Sequence, residues 1–347
     1  MSAADSPHRQ QADRFNAIAA ILGLLVIAGL YSDGWAHINI GGLESFFTPW
    51  HGLLYGSFTL LTGWIAFGTW NRHRSGIPWS RAVPSAYRLG LVGIGVFGLG
   101  GVLDMLWHLV FGVESGIDAL VSPTHLILLL GGLLLLSSPL RFWLTRPDRS
   151  EVVPWPAVLS TAALAALVGF FLSYMSVFTD PGATVALTKI PEGAPGHQAA
   201  ELPAVAGLGG YLVTTLLLVV PLIHLRRSGR LPTGAVTVFV ASISVPASAL
   251  SEMEHALSLV GALVGAALID VFARNRSIGE VAALLPVAVW SGQLAGLAIA
   301  GDLAWPVELW AGVIVMSMLA GLALAATTRP VASADLSQES LLSAGPG

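Results

Sequence analysis

FNAIAAILGLLVIAGLYSDGWAHINIGGLESFFTPWHGLLYGSF, residues 15–58, decides the fold. Its first part, 15–36, is almost wholly apolar, and a helix needs about 20 such residues to cross a hydrocarbon layer of ~30 Å. A short polar passage follows, and a second apolar run begins at 50. Asp33, His37 and His51 therefore sit between two stretches of membrane-crossing length.

The pattern repeats along the chain, of whose 347 residues 54% are hydrophobic and 10% charged, with mean hydropathy +0.75. Irregular backbone cannot face lipid, so the runs are expected to be helices. The fold class expected is all-α, a polytopic integral membrane bundle of about ten transmembrane helices near 15–36, 50–70, 87–110, 124–144, 154–178, 204–225, 233–251, 255–273, 281–300 and 305–326. The first is read as an uncleaved span, since no small-x-small cleavage site follows it. The Pro-, Gly- and Ala-rich passage 179–203 is expected to be a surface loop, and 331–347 a disordered tail.

Lys and Arg collect on cytoplasmic loops. With the N-terminus inside and ten spans, every arginine falls inside, and Lys189, the one lysine, falls outside. Both termini are thus expected to be cytoplasmic and the membrane the plasma (inner) membrane. That orientation gathers most carboxylates and histidines at extracytoplasmic helix ends. A net charge of −4 distributed in this way suggests an acidic outer surface able to attract cations, and nothing in the sequence points to nucleic-acid binding. Absence of cysteine excludes thiolate metal sites and disulfides.

An internal repeat organises the polar residues. DGWAH at 33–37 is matched by DMLWH at 104–108, and ESFFTPWH at 44–51 by the looser IDALVSPTH at 117–125. Each hairpin offers Asp-x3-His on an outgoing helix and (Thr/Ser)-Pro-x-His on the returning one. Residues four apart share a helix face, so Asp33 and His37, or Asp104 and His108, can point at one ion. Pro49 and Pro123 belong in a helix's first turn, which fixes where His51 and His125 enter. Two histidines and a carboxylate suit copper, zinc or non-haem iron, and residue types alone do not choose among them. Asp33, His37 and His51 form a first candidate metal site, Asp104, His108 and His125 a second, with Glu44, Trp35 and Glu114 around them. Glu252, Glu254 and His255, in SEMEHALSL at 251–259, are a third group of candidate ligands.

DGWAH with ESFFTPWHGLLYGSF resembles the C subunit of the copper membrane monooxygenases, the family of particulate methane monooxygenase and ammonia monooxygenase. The match runs through Asp33, His37, residues 44–49, His51 and residues 55–58. A second family site, Asn-x3-His with a later Pro-x-His, is echoed by Asp104, His108, Pro123 and His125, with Asp104 standing where the family has Asn. The resemblance covers residues 1–145, read as a copper-binding module of two hairpins; 146–330 is a six-helix membrane extension outside it. It implies copper, oxidation of a small apolar substrate or ammonia with O2, and partners in the lipid bilayer: A- and B-type subunits, or a second copy in a homo-oligomer. Two further readings stand beside it. One is a copper storage, delivery or transport protein without turnover. The other is a zinc-dependent intramembrane hydrolase with Glu44 or Glu114 as base. Other expectations are local: Trp35, Trp50, Trp107 and Trp305 in an outer aromatic belt, Trp70, Trp79 and Trp143 in an inner one, and an Asp270–Arg274 pair one helical turn apart.

Overall fold

A computed structural model describes residues 7–40, 46–112, 116–147 and 150–327. Among these the chain is helical and contains no strand; one isolated bridge joins Val152 to Arg230. The helices are α1 (Pro7–Asn39), α2 (Pro49–Arg74), α3 (Trp79–Ala82), α4 (Arg88–Phe111), α5 (Ile117–Val121), α6 (Pro123–Leu136), α7 (Ser138–Leu144), α8 (Trp155–Phe171), α9 (His197–Ser228), α10 (Ala235–Leu250), α11 (Ala256–Phe272), α12 (Ile278–Ala300) and α13 (Val307–Thr327). Glu44, Glu114 and the 331–347 tail lie outside the described residues.

Among the described residues six helical segments are long and apolar enough to cross a membrane: Arg9–Asn39, Ser85–Phe111, Pro123–Leu144, His197–Ser228, Ile278–Ala300 and Val307–Thr327. The other four expected spans are also helices. Three are shorter, α8 and α11 at 17 residues and α10 at 16; α2 has the length, at 26 residues, but Gly, Ser, Thr, Tyr and Trp along its middle dilute its hydropathy. The expected span 124–144 is built from two pieces, α6 and α7, joined at Ser137 just before Pro139.

Lipid tails are as apolar as leucine, so helices associate in a bilayer through close packing rather than hydrophobic exclusion. The glycine-rich run 93–101 supplies that packing. A Cβ at Gly93 would come within 2.6 Å of the Leu135 nitrogen, and one at Gly131 within 2.5 Å of the Phe97 nitrogen, so α4 and α6 meet backbone to backbone. α1 pairs with α2 and also packs against α8 and α10. Two hydrogen bonds tie it to the second half: the Tyr31 hydroxyl donates to the Ala166 carbonyl at 3.0 Å, and the Asn39 amide to the Leu250 carbonyl at 3.0 Å. One apolar core therefore continues across residue 145, from Leu54 and Phe97 to Phe239 and Trp290.

Four local expectations change. Trp143 and Trp305 are not belt residues: they are 3% and 4% exposed, buried in the bundle. Asp270 forms no pair with Arg274; its carboxylate accepts the Val236 and Thr237 N–H groups at 3.1 and 2.8 Å and the Thr237 hydroxyl at 2.6 Å. Those N–H groups are orphans of the first turn of α10, which an acceptor from α11 satisfies. The 179–203 passage is partly built in, for Ala183 is fully buried and its carbonyl accepts the Ala304 and Trp305 N–H groups at 2.9 and 3.2 Å. Its end is already helix, because α9 starts at His197.

Candidate metal centre

The repeat seen in sequence is a repeat of helix entry. Thr48 is the N-cap of α2, its hydroxyl accepting the His51 N–H at 3.1 Å, and Ser122 caps α6 in the same way through the His125 N–H at 3.4 Å. Proline follows each cap at the first helical position, where its missing N–H costs nothing. Each histidine is consequently held at the third position of its helix. Asp33 and His37 near the end of α1, and Asp104 and His108 near the end of α4, supply the facing residues.

The two hairpins bring these residues into one cluster. Ligand atoms of Asp33, His37 and His51 lie within 4.8 Å of one another, and so do those of His51, Asp104 and His108. His51 belongs to both groups. The His51 and His108 ring centroids are 6.2 Å apart, and those of His108 and His125 are 6.1 Å apart. His125 joins the cluster through Asp104, its Nε2 lying 3.2 Å from Oδ1. Asp104 is 1% exposed, His51 5% and His108 6%.

Three of the four carboxylate–imidazole distances in the cluster fit ligands better than hydrogen bonds, the His125–Asp104 contact being the exception. Asp33 Oδ2 to His37 Nε2 is 3.8 Å, Asp33 Oδ1 to His51 Nδ1 is 3.4 Å, and Asp104 Oδ1 to His108 Nε2 is 3.6 Å. N–H···O bonds end near 3.2 Å. Two donors on one tetrahedral ion, each about 2.1 Å from it, stand roughly 3.4 Å apart. Asp33 Oδ1 and His108 Nε2 are buried without a hydrogen-bond partner, and a buried polar group left so costs about 1–3 kcal/mol unless a ligand completes it.

The histidine tautomers agree. His108 Nδ1 faces the Gly112 carbonyl at 3.2 Å, and His125 Nδ1 faces the Ala119 carbonyl. A carbonyl only accepts, so Nδ1 carries the proton in both rings. Both Nε2 atoms then face the Asp104 carboxylate, the arrangement in which metal-binding histidines are oriented by a backbone acceptor. His51 Nδ1 contacts the Thr48 hydroxyl at 2.9 Å.

The surroundings are apolar. The cluster, with Asp33, His37, His51, Asp104 and His125 on its wall, ends a cavity of about 260 Å³ lined by α1, α2, α4, α5, α6, α8 and α10. Among the described residues no Lys or Arg lines it, so charge on the two carboxylates is offset by protonated histidine or by a bound cation. Phe46 lies over His51 at 4.5 Å, and Trp35 meets Trp50 edge-on at 5.4 Å.

Three residues near the centre carried no role in the sequence reading. The Thr124 hydroxyl donates to Asp104 Oδ1 at 3.0 Å. Tyr55 has a buried hydroxyl without a hydrogen-bond partner and its ring is stacked 6.2 Å from His51. Phe170 comes from the second half. Thr124 stands within SPTH, where adjacency to His125 was the available signal; nothing local marks Phe170.

The third group is not drawn together. Glu252 and Glu254 are exposed, while His255 Nδ1 pairs with Asp302 Oδ2 at 3.0 Å. Among the described residues no group of three metal-ligating side chains forms there. The chain matches no family model, no curated protein and no solved structure.

Proposed function

We propose that the protein is a copper-dependent membrane oxidoreductase, related to the C subunit of the copper membrane monooxygenases, that oxidises a small apolar molecule with O2. One observation carries this reading: a buried to half-buried set of four histidines and two carboxylates, with donor atoms of Asp33 and His108 left open, ends an apolar cavity. Asp33, His37 and His51 would hold one ion, and Asp104, His108 and His125, with His51 between the sets, a second. Copper suits the excess of imidazole over carboxylate and supplies the one-electron chemistry that O2 requires. The chain's own residues do the rest. Gly112 and Ala119 carbonyls fix the rings, Thr124 orients Asp104, and Phe46, Trp35 and the cavity wall exclude water. Electrons come from an external reductant, through A- or B-type partner subunits or another copy of the chain.

The arginine distribution supports ten spans with cytoplasmic termini and a centre facing the extracytoplasmic side of the plasma membrane. An ion-transport role has less support. Among the described residues, the buried polar groups of the second half are hydroxyls and one amide, Gln293, without a buried carboxylate or histidine to relay a cation.

The test is O2 consumption by copper-loaded protein with a reductant and n-hexane in lipid nanodiscs, beside zinc-loaded protein. Substrate-dependent uptake with copper alone is expected. Equal uptake with and without the alkane, or with either metal, would overturn the reading.

A further inference from the structure

The sequence resemblance ends at 145, yet the cavity does not. Leu167, Phe170 and Phe171 of α8 and Leu250 of α10 line it together with first-half residues such as Leu30 and Leu54. Positions 167, 170 and 171 form one helix face, and two glycines receive it. A Cβ at Gly132 would come within 2.8 Å of Leu167 Cδ2, and one at Gly34 would overlap the Phe170 ring. Gly34 adjoins Asp33, so Phe170 is set directly beside the metal centre. Lining residues that remain exposed, Ile38 at 61%, Ile117 at 59% and Tyr174 at 48%, mark the mouth.

We propose that α8 and α10 set the size of the substrate, and that it is a hydrocarbon-like molecule of roughly eight to ten carbons, on the scale in which a dry cavity of about 150 Å³ accepts benzene. This deepens the oxidoreductase reading and rests on it for turnover, but binding stands on the cavity alone. The volume of about 260 Å³ exceeds what a small gas or ammonia fills. Away from the metal centre the polar side-chain groups of the wall are hydroxyls, those of Tyr55, Ser173, Tyr174 and Thr179, none of them charged, and the Thr179 hydroxyl is already engaged with the Ala247 carbonyl. A substrate carrying several polar groups would lose their hydration with little replacement. Leu167 and Phe170 are therefore the specificity-determining residues, acting by bulk.

Thermal unfolding of the detergent-purified full chain, saturated in turn with n-butane, n-hexane, n-decane and n-hexadecane, tests this, because a ligand bound only to the folded state raises Tm. Decane is expected to give the largest rise. Leu167→Trp, which fills the cavity, moves the maximum to hexane or butane, and Phe170→Ala, which enlarges it, moves the maximum toward hexadecane. The same ordering in all three proteins, or no dependence on chain length, overturns the proposal; either variant suffices if the other fails to fold. Copper content measured on the same samples separates the two readings. Chain-length selectivity without copper defeats the oxidoreductase and leaves the hydrocarbon site, whereas copper without selectivity does the reverse.

Discussion

Both halves of the molecule bury polar groups, and they treat them in opposite ways. In the second half the Tyr211 hydroxyl donates to Gln293 at 2.6 Å, the Gln293 amide donates to the Val177 carbonyl at 3.0 Å, and Trp290 donates to Thr215 at 2.8 Å. That network closes on itself, as a group that only stabilises structure should. The groups left over there, on Ser244, Ser317 and Trp305, are neutral and belong to separate helices or loops. In the first half open atoms also occur singly, on Thr62 and Arg141, but three of them, on Asp33, His108 and Tyr55, gather at one cluster, and Asp33 and Tyr55 line its cavity. The gathering of open atoms at one place, rather than their occurrence, thus separates polar groups awaiting a ligand from those that hold helices together.

The largest effect expected is at the residue common to both metal groups. His51→Ala should remove most bound metal, whereas His125→Ala, at the cluster's edge, should remove only part; elemental analysis of the purified variants checks the order, and equal losses would break the picture of a shared residue. Next, Asp33→Asn should abolish binding at the first group yet stabilise metal-free protein by about 1 kcal/mol, because an amide is cheaper to bury than a carboxylate whose Oδ1 lacks a hydrogen bond. Thermal unfolding after chelation measures it, and a lower Tm would mean that Asp33 is structural. Thr124→Val should weaken metal affinity roughly tenfold by releasing Asp104, read from competition with a chelator. Smallest at the metal is Tyr211→Phe: it should cost about 1–3 kcal/mol of stability by orphaning Gln293 and leave metal content unchanged. A loss of metal in that variant would erase the contrast between the halves.

What could be read in advance was local. Asp-x3-His implies a shared helix face, and (Thr/Ser)-Pro-x-His specifies a cap, a first turn and the histidine's position; Thr48 and Ser122 do cap the helices that start at Pro49 and Pro123. The hydropathy pattern likewise located the helices, although α8, α10 and α11 are shorter than the runs that announced them because turns take up their ends. Contacts between distant helices left no such signal. Neither triad shows that His51 would meet Asp104 and His108, because that depends on how α2 approaches α4. Asp270 illustrates the same limit: a partner one turn away was available in Arg274, but the unsatisfied N–H groups of α10 offer a carboxylate more. Trp143 and Trp305 have the composition of interfacial residues and are buried by packing that composition does not encode.

The most direct test of the central claim is metal content per chain, measured on protein purified from cells supplied with copper, zinc and iron together, beside the His37→Ala/His51→Ala variant. At least one copper per chain, falling by half or more in the variant, is the predicted result. No copper, or the same content in both proteins, would contradict the account and make the open donor atoms a feature of a metal-free bundle.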